Sequence, residues 1–176
     1  MGTGLETPRL RLRCYRENDL SRLVSLINNW EVARWLSRVP YPYTEAHGRE
    51  WIASVQTEHA ERKPRRFAVA LKDTDCVIGG VGLDGDPGDD SPETAIGYWL
   101  GQPYWGNKYG REAAAAIIEY GFHSLGVGTI RAFTDPVNAA SQKVLLACGF
   151  KQVGEINLTK LTRNGASRGP LFRMYR

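Results

Sequence analysis

Residues 94–122 read TAIGYWLGQPYWGNKYGREAAAAIIEYGF, and the order of their parts decides the fold. Thr94 to Leu100 is apolar and rich in β-branched and aromatic residues, which suits a buried strand. Gln102-Pro103-Tyr104 breaks that strand. Gly106-Asn107-Lys108-Tyr109-Gly110 supplies a tight loop, and Arg111 to Tyr120 is made mostly of strong helix formers. A glycine loop that opens a helix is an anion cradle. The first helical N–H groups have no intrahelical partner, and the helix dipole adds partial positive charge there. The expected ligand is a phosphate or pyrophosphate.

Three phosphate sites compete. A Walker A loop ends in Gly-Lys-Ser/Thr. Gly101 to Lys108 approaches it, but Asn107 separates Gly106 from Lys108, and Tyr109 stands where a Mg²⁺-binding hydroxyl belongs. Gly80, Gly82 and Gly85 have dinucleotide-loop spacing but lead into Asp-rich turns with Pro87, not into a helix. The third site is a coenzyme A loop. Here the chain resembles the GNAT superfamily of N-acetyltransferases, whose loop pattern is Q/R-x-x-G-x-G/A. Trp105-Gly106-Asn107-Lys108-Tyr109-Gly110-Arg111-Glu112-Ala113 looks like the W-G-x-G-Y-A-x-E-A run of the RimJ/RimL-like branch, the ribosomal-protein N-terminal acetyltransferases and their relatives. Asn138-x-x-Ser141 with Cys148-Gly149-Phe150, and the opening Glu6-Thr7-Pro8-Arg9-Leu10-Arg11-Leu12-Arg13, are similar to further segments of that branch. The resemblance runs from Leu5 to the last strand. Two positions depart from it: Lys108 stands where the first loop glycine is usual, and Ala95 where many relatives carry Glu.

The composition fits one domain over residues 1–176 with a hydrophobic content of 42%, ordinary for a soluble globular protein. No apolar run approaches a membrane span, and no signal peptide is evident. Met1-Gly2 suggests myristoylation poorly, since Glu6 sits where Ser or Thr is wanted. Cys14, Cys76 and Cys148 are odd in number and far apart, as expected of free thiols in a reducing cytoplasm. His47, His59 and His123 are scattered, so no metal site is expected. The net charge is +4. Arg9, Arg11, Arg13 and Arg16 cluster, as do Arg62, Lys63, Arg65 and Arg66. They read first as solvated faces and strand edges, and second as attraction for an acidic ligand. No basic stripe interleaved with aromatics points to direct nucleic-acid binding.

Arg9 to Cys14 alternates with period 2, a strand with one face inward. Asn18 is placed to cap a helix carrying Leu20, Leu23, Val24 and Ile27. Trp30 to Leu36 reads as a short helical piece and Pro40 to Tyr43 as a loop. Thr44 caps a helix reaching Glu61. Arg66 to Leu71 and Cys76 to Leu83 form a hairpin, and Asp84 to Pro92 is a loop. Thr129 to Thr134 is a strand parallel to Thr94–Leu100 through the helical crossover. Asn138 to Ala147 is a helix ended by Gly149. Strands Phe150–Leu158 and Leu171–Tyr175 close the chain around Asn164-Gly165. The fold class is mixed α+β. The resemblance implies a GNAT-like fold: one twisted, mostly antiparallel sheet of about six to seven strands flanked by helices, splayed in a V between two central parallel strands.

Acetyl transfer to an amine needs a grip on pyrophosphate, an oxyanion donor, a neutral amine and a proton for the departing thiolate. The resemblance implies acetyl-CoA as cofactor, held by Trp105, Gly106, Asn107, Lys108, Tyr109, Gly110, Arg111 and Glu112. It implies further that the Leu100 N–H faces the thioester carbonyl. Asn138 contacts the cofactor arm while also capping its helix, and Ser141 meets the sulfur and returns a proton. Gly97 reads either as a bulge that helps the strand splay or as a packing glycine. With Ala95 lacking a carboxylate, Glu93, on the same strand face by period 2, is the candidate base through a water. Trp30, Trp35, Tyr41 and Tyr43 fall in the segments that wall the acceptor site in the family; Tyr41 and Tyr43, exposed-looking in a Pro loop, are the specificity candidates. Trp51 reads first as core. The expected acceptor is a primary amine, either a protein N-terminus or a small molecule, and the expected state is monomer or homodimer. A non-catalytic acyl-CoA-binding module is the rival of a different class.

Overall fold

The computed structural model of the chain describes residues 4–61, 64–84 and 93–176. Its eight strands are β1 (Leu5–Glu6), β2 (Leu10–Arg13), β3 (Arg66–Leu71), β4 (Val77–Asp84), β5 (Thr94–Leu100), β6 (Thr129–Phe133), β7 (Lys151–Asn157) and β8 (Arg168–Tyr175). Its five helices are α1 (Leu20–Ile27), α2 (Trp30–Ala33), α3 (Glu45–Ala60), α4 (Tyr109–His123) and α5 (Ala139–Ala147). All strands lie in one sheet of order β1-β2-β3-β4-β5-β6-β8-β7. Every pairing is antiparallel except β5 with β6. The strand beyond the expected number is β1, two residues that pair Leu5 with Leu12. The expected Asp84–Pro92 loop lies outside the described residues except for Asp84, which closes β4.

The sheet is covered on both faces. On one, α4 presents Ala113, Ala114, Ile117, Ile118, Gly121 and Phe122, a stripe at helical spacing. It packs with Leu10, Leu12, Phe67, Ile78, Leu83 and Ile130. Gly121 is needed there, because a Cβ would lie 2.5 Å from Leu83 Cδ1. On the other face Leu20, Leu23, Ile27, Ile52 and Val55 from α1 and α3 bury Tyr15, Ala68 and Val77. Residues of β5 alternate between these cores: Ile96, Tyr98 and Leu100 face α4, while Trp99 faces α1 and α3.

Two expectations change at this level. Asn18 does not cap α1; a 3₁₀ turn over Glu17–Asp19 precedes the helix, and the Asp19 carboxylate accepts from Arg16 N at 2.7 Å. The N-terminal arginines divide: Arg9 and Arg16 are exposed, as expected of a solvated face, while Arg11 is half-buried and Arg13 is buried. Arg13 is 6% exposed and pairs with buried Asp19 through two bonds of 2.8 and 3.0 Å, and with Asp75 at 3.0 Å. Arg11 and Arg16 also reach Asp75, and Arg9 reaches Glu112. Of the second basic group, Arg66 pairs with Glu58 at 2.8 Å, and Arg62 and Lys63 lie outside the described residues. Thr44 and Asn138 do cap their helices, accepting from His47 N and Ser141 N.

Candidate active site

The site is built where β5 and β6 part. Their pairing consists of Thr94 with Ile130 and Ala95 with Arg131. Beyond Ala95 the strands diverge, and β5 continues in register with β4 alone. No bulge forms at Gly97, which sits opposite Gly82 in a regular ladder. The register irregularities fall between Val69 and Ala70 and between Gln152 and Gly154 instead. Gly101 N donates to Ile78 O at 2.8 Å. Since backbone groups alternate sides along an antiparallel strand, Tyr98 and Leu100 direct their N–H and C=O groups away from β4, into the gap. The Leu100 carbonyl accepts the Trp105 indole N–H at 2.8 Å. Its N–H is left facing the cleft.

The cleft has a volume of about 1700 Å³ and crosses the molecule through this gap. At one end lies the start of α4. Its first helical bond runs from Glu112 N to Lys108 O at 3.1 Å, so Tyr109, Gly110 and Arg111 N–H have no partner within the helix. Gly106 has φ +79° and Lys108 φ +64°. Lys108 therefore keeps the left-handed conformation that a glycine would supply, at a cost of about 1 kcal/mol. These donors, with Lys108 and Arg111 beside them, fit a pyrophosphate. The free edge of β5 fits an extended amide-bearing arm.

In the middle of the cleft is a pair that sequence reading missed. The Tyr98 hydroxyl lies 3.0 Å from Ser141 Oγ and 3.0 Å from the Ser141 carbonyl oxygen, to which it donates. Burial pushes the Tyr98 phenol far above its ordinary pKa, although the bond from Ser141 works the other way. At neutral pH it is a hydrogen-bond donor, not an anion. A tyrosine in an apolar strand requires a partner for its hydroxyl. That requirement, with the shared face of Ile96, Tyr98 and Leu100, was the available signal. Asn138 holds Ser141 from the other side, its amide oxygen accepting Ser141 N at 3.1 Å. Its amide nitrogen stays available to the cleft.

Several expected site residues stand elsewhere. Glu112 does not reach the cleft; Thr7 Oγ1, Arg9 N and Arg9 Nε all donate to its carboxylate at 2.6–2.9 Å. It ties the N-terminal segment to α4. Asn107 turns back on the loop, donating to Trp105 O at 3.1 Å. Glu93 is not among the cleft residues: Arg173 of β8 holds it at 2.9 Å, and the ion pair fixes it against the far strand. Tyr43 does line the cleft, but it is only 6% exposed and packs in the α1–α3 core, with Asn28 bonding both its N–H and its carbonyl. Burial raises its phenol to about 12. Trp30 and Tyr41 are exposed and make a tilted ring contact with each other, centroids 5.2 Å apart, outside the cleft lining. Trp35 does line it, with the Arg34 guanidinium 4.8 Å from its ring, and so does Trp51. The segment after α2 that lines this part of the cleft is held by Arg163, also missed, which donates to the carbonyls of Ala33, Leu36 and Val39. Arg163 thereby ties the β7–β8 connection to the segment after α2.

This geometry matches known proteins. The family described as "Acetyltransferase (GNAT) domain" matches residues 9–151. The chain is 32% identical over 153 residues to an uncharacterized N-acetyltransferase, p20, of Bacillus licheniformis, covering 85% of this chain and 83% of that one. It superposes on the ribosomal-protein-S5-alanine acetyltransferase of Vibrio fischeri with a TM-score of 0.82, at 21% identity over 98% and 96% of the two chains. On the RimJ of Mycobacterium smegmatis, determined in complex with CoA-disulfide, the TM-score is 0.78, at 17% identity over 99% and 86%. The last two likenesses establish the fold alone. The chain belongs to the GNAT family and is an acetyl-CoA-dependent N-acetyltransferase. Among the described residues no helix is long and apolar enough to cross a membrane, and no cluster of side chains has the makings of a metal site.

Proposed function

We propose that the acceptor is the α-amine at the N-terminus of a protein or peptide, acetylated by direct transfer within a ternary complex, in a reducing cytoplasm. The observation that carries this is the parting of β5 and β6 after Ala95, which opens a passage between the α4 N-terminus and the wall around Trp35. Tyr109, Gly110 and Arg111 N–H, with Lys108 and Arg111, are the groups that would hold the pyrophosphate. Bound acetyl-CoA supplies an activated acetyl thioester. The Leu100 N–H is preorganised to donate to the carbonyl oxygen as charge gathers there, a contribution of about 3 kcal/mol. Ser141 returns a proton to the departing sulfur. Tyr98 holds the Ser141 oxygen and can follow that proton with its own hydrogen bond.

Direct transfer is supported by the state of the thiols. Cys148 sits at the end of α5 against the Arg111 carbonyl, and burial pushes its thiol up, away from a nucleophile's range. An α-amine is favoured by the missing Glu at Ala95. At pH 7 roughly a tenth of an α-amine is neutral, against less than about a thousandth of a lysine side chain. A site without a glutamate on β5 beside the gap suits the acceptor with the larger neutral fraction. The Vibrio fischeri protein's action on a ribosomal protein agrees with this reading.

The test is thiol release from acetyl-CoA with an acceptor panel: a peptide with a free α-amine, the same peptide N-acetylated but carrying a lysine, and a polyamine. The free α-amine peptide is expected to give kcat/KM at least about tenfold above the others, following the neutral-amine fractions. A polyamine preference would make the enzyme a small-molecule acetyltransferase. Tight coenzyme A binding without turnover on any amine would leave only a binding module.

A further inference from the structure

We infer that Asp84, at the end of β4, is the general base that the strand β5 lacks. Asp84 is the direct cross-strand partner of Ala95. Paired residues on adjacent antiparallel strands project from the same face, with Cβ atoms about 5 Å apart. A carboxylate at Asp84 therefore stands on the same face as a glutamate at position 95 would, about 5 Å across the ladder. The face is the one on which an acceptor must lie: Ala95, Gly97 and Trp99 share it, and Ser141 and the α4 N-terminus lie behind the opposite face. Ala95 is also the last residue paired to β6, so the gap opens beside it. Both Asp84 and Ala95 line the cleft.

Among the described residues the Asp84 carboxylate has one ion pair, at 3.8 Å to Arg66, looser than those that hold Glu93 and Glu112. Its charged neighbours among the described residues are Arg66 and Arg65 from the β3 side and Glu58 from α3. Arg66 gives its Nε to Glu58 at 2.8 Å and stands 3.8 Å from Asp84. The Asp84 side chain is 52% exposed at the cleft. Desolvation raises its carboxyl above the ordinary aspartate value, Arg66 opposes this, Glu58 adds to it and Arg65 opposes it. That direction makes the carboxylate a better proton acceptor than an ordinary aspartate.

The step balances as follows. The amine nitrogen bonds to the acetyl carbon, and the carbon–sulfur bond breaks. The amine's surplus proton, made acidic by attack, passes along waters on this face of β5 to Asp84, and Asp84 releases it to solvent. The sulfur takes its proton from Ser141, which recovers one from water. A carboxylate suits an acceptor that has an appreciable neutral fraction at pH 7 better than a lysine side chain, so the inference rests on the α-amine reading and sharpens it.

The experiment moves the carboxylate across the ladder. Asp84→Asn is expected to lower kcat for the best acceptor of the panel by about 10²–10⁴-fold. The acetyl-CoA Kd, read by calorimetry, is expected to change less than about twofold, since the cofactor end of the cleft is untouched. Adding Ala95→Glu to Asp84→Asn is expected to restore at least about tenfold in kcat, which a structural role for Asp84 would not allow. If Asp84→Asn unfolds, Asp84→Ser with and without Ala95→Glu gives the same comparison. Near-normal kcat in the single variant, or no rescue in the double, overturns the assignment. Failure of the wild type on every amine would overturn the acceptor reading instead.

Discussion

Ser141→Ala is expected to lower kcat by about 10²–10⁴-fold while leaving acetyl-CoA affinity nearly unchanged. The hydroxyl sits on the first turn of α5, its N–H bound to Asn138 Oδ1 and its Oγ 3.0 Å from the Tyr98 hydroxyl. Those two contacts aim it into the gap between β5 and β6. An interaction made with the departing sulfur is formed chiefly in the transition state, so its loss appears in kcat and not in binding. The side chain is small and partly buried, and alanine is a better helix former, so the variant keeps its fold. The buried Tyr98 hydroxyl retains the Ser141 carbonyl as acceptor. Steady-state kinetics and calorimetry on one purified variant check this. A near-normal kcat would pass the acid role to a water or to Tyr98 itself.

Asp19→Ala is expected to destabilise the fold by about 3–5 kcal/mol. Arg13 and Asp19 are both nearly inaccessible and joined by two hydrogen bonds. Removing the carboxylate leaves a buried guanidinium with only Asp75 and two backbone carbonyls, and it frees Arg16 N from its cap. Urea unfolding measures the loss; a change below about 1 kcal/mol would mean that the site rehydrates freely. Asp75 adds a pH dependence. Desolvation works to raise its carboxyl, but hydrogen bonds from Arg13 and Arg16 together hold it below the ordinary aspartate value. Its contribution is therefore complete above that ordinary value and is lost as pH falls through the depressed one.

What was legible in the sequence was local. The strand, glycine loop and alanine-rich helix of 94–122 declare themselves by composition, as do the Thr44 and Asn138 caps and the left-handed Gly149. The family resemblance rested on the same contiguous runs. What escaped was set by partners distant along the chain. The arginines of β2 look like a solvated face until Asp75, 62 residues from Arg13, is brought beside them. Glu112 looks like a helix-dipole residue until Thr7 and Arg9 claim it from more than 100 residues away. Tyr43 looks exposed in its Pro-rich loop because only the fold brings Asn28 against it. Asp84 had no distinguishing neighbours in sequence; its meaning comes from the β4–β5 register, which no local pattern specifies. Arg163 likewise acts on carbonyls more than 120 residues earlier.

The most direct measurement is calorimetric titration of acetyl-CoA into the wild type and Gly110→Val. The protein has room for the new side chain at its root, since a Cβ at Gly110 would meet Leu100 and Val144 at 3.7 and 3.9 Å, ordinary contact distances. The added methyls would crowd the unpartnered N–H groups at the start of α4, where a phosphate must approach the backbone closely. With the fold intact by thermal melting, Kd is predicted to rise at least about tenfold, a loss of about 1.4 kcal/mol. An unchanged Kd would mean that the pyrophosphate binds elsewhere, and would contradict the placement of the cofactor between the α4 N-terminus and the open edge of β5.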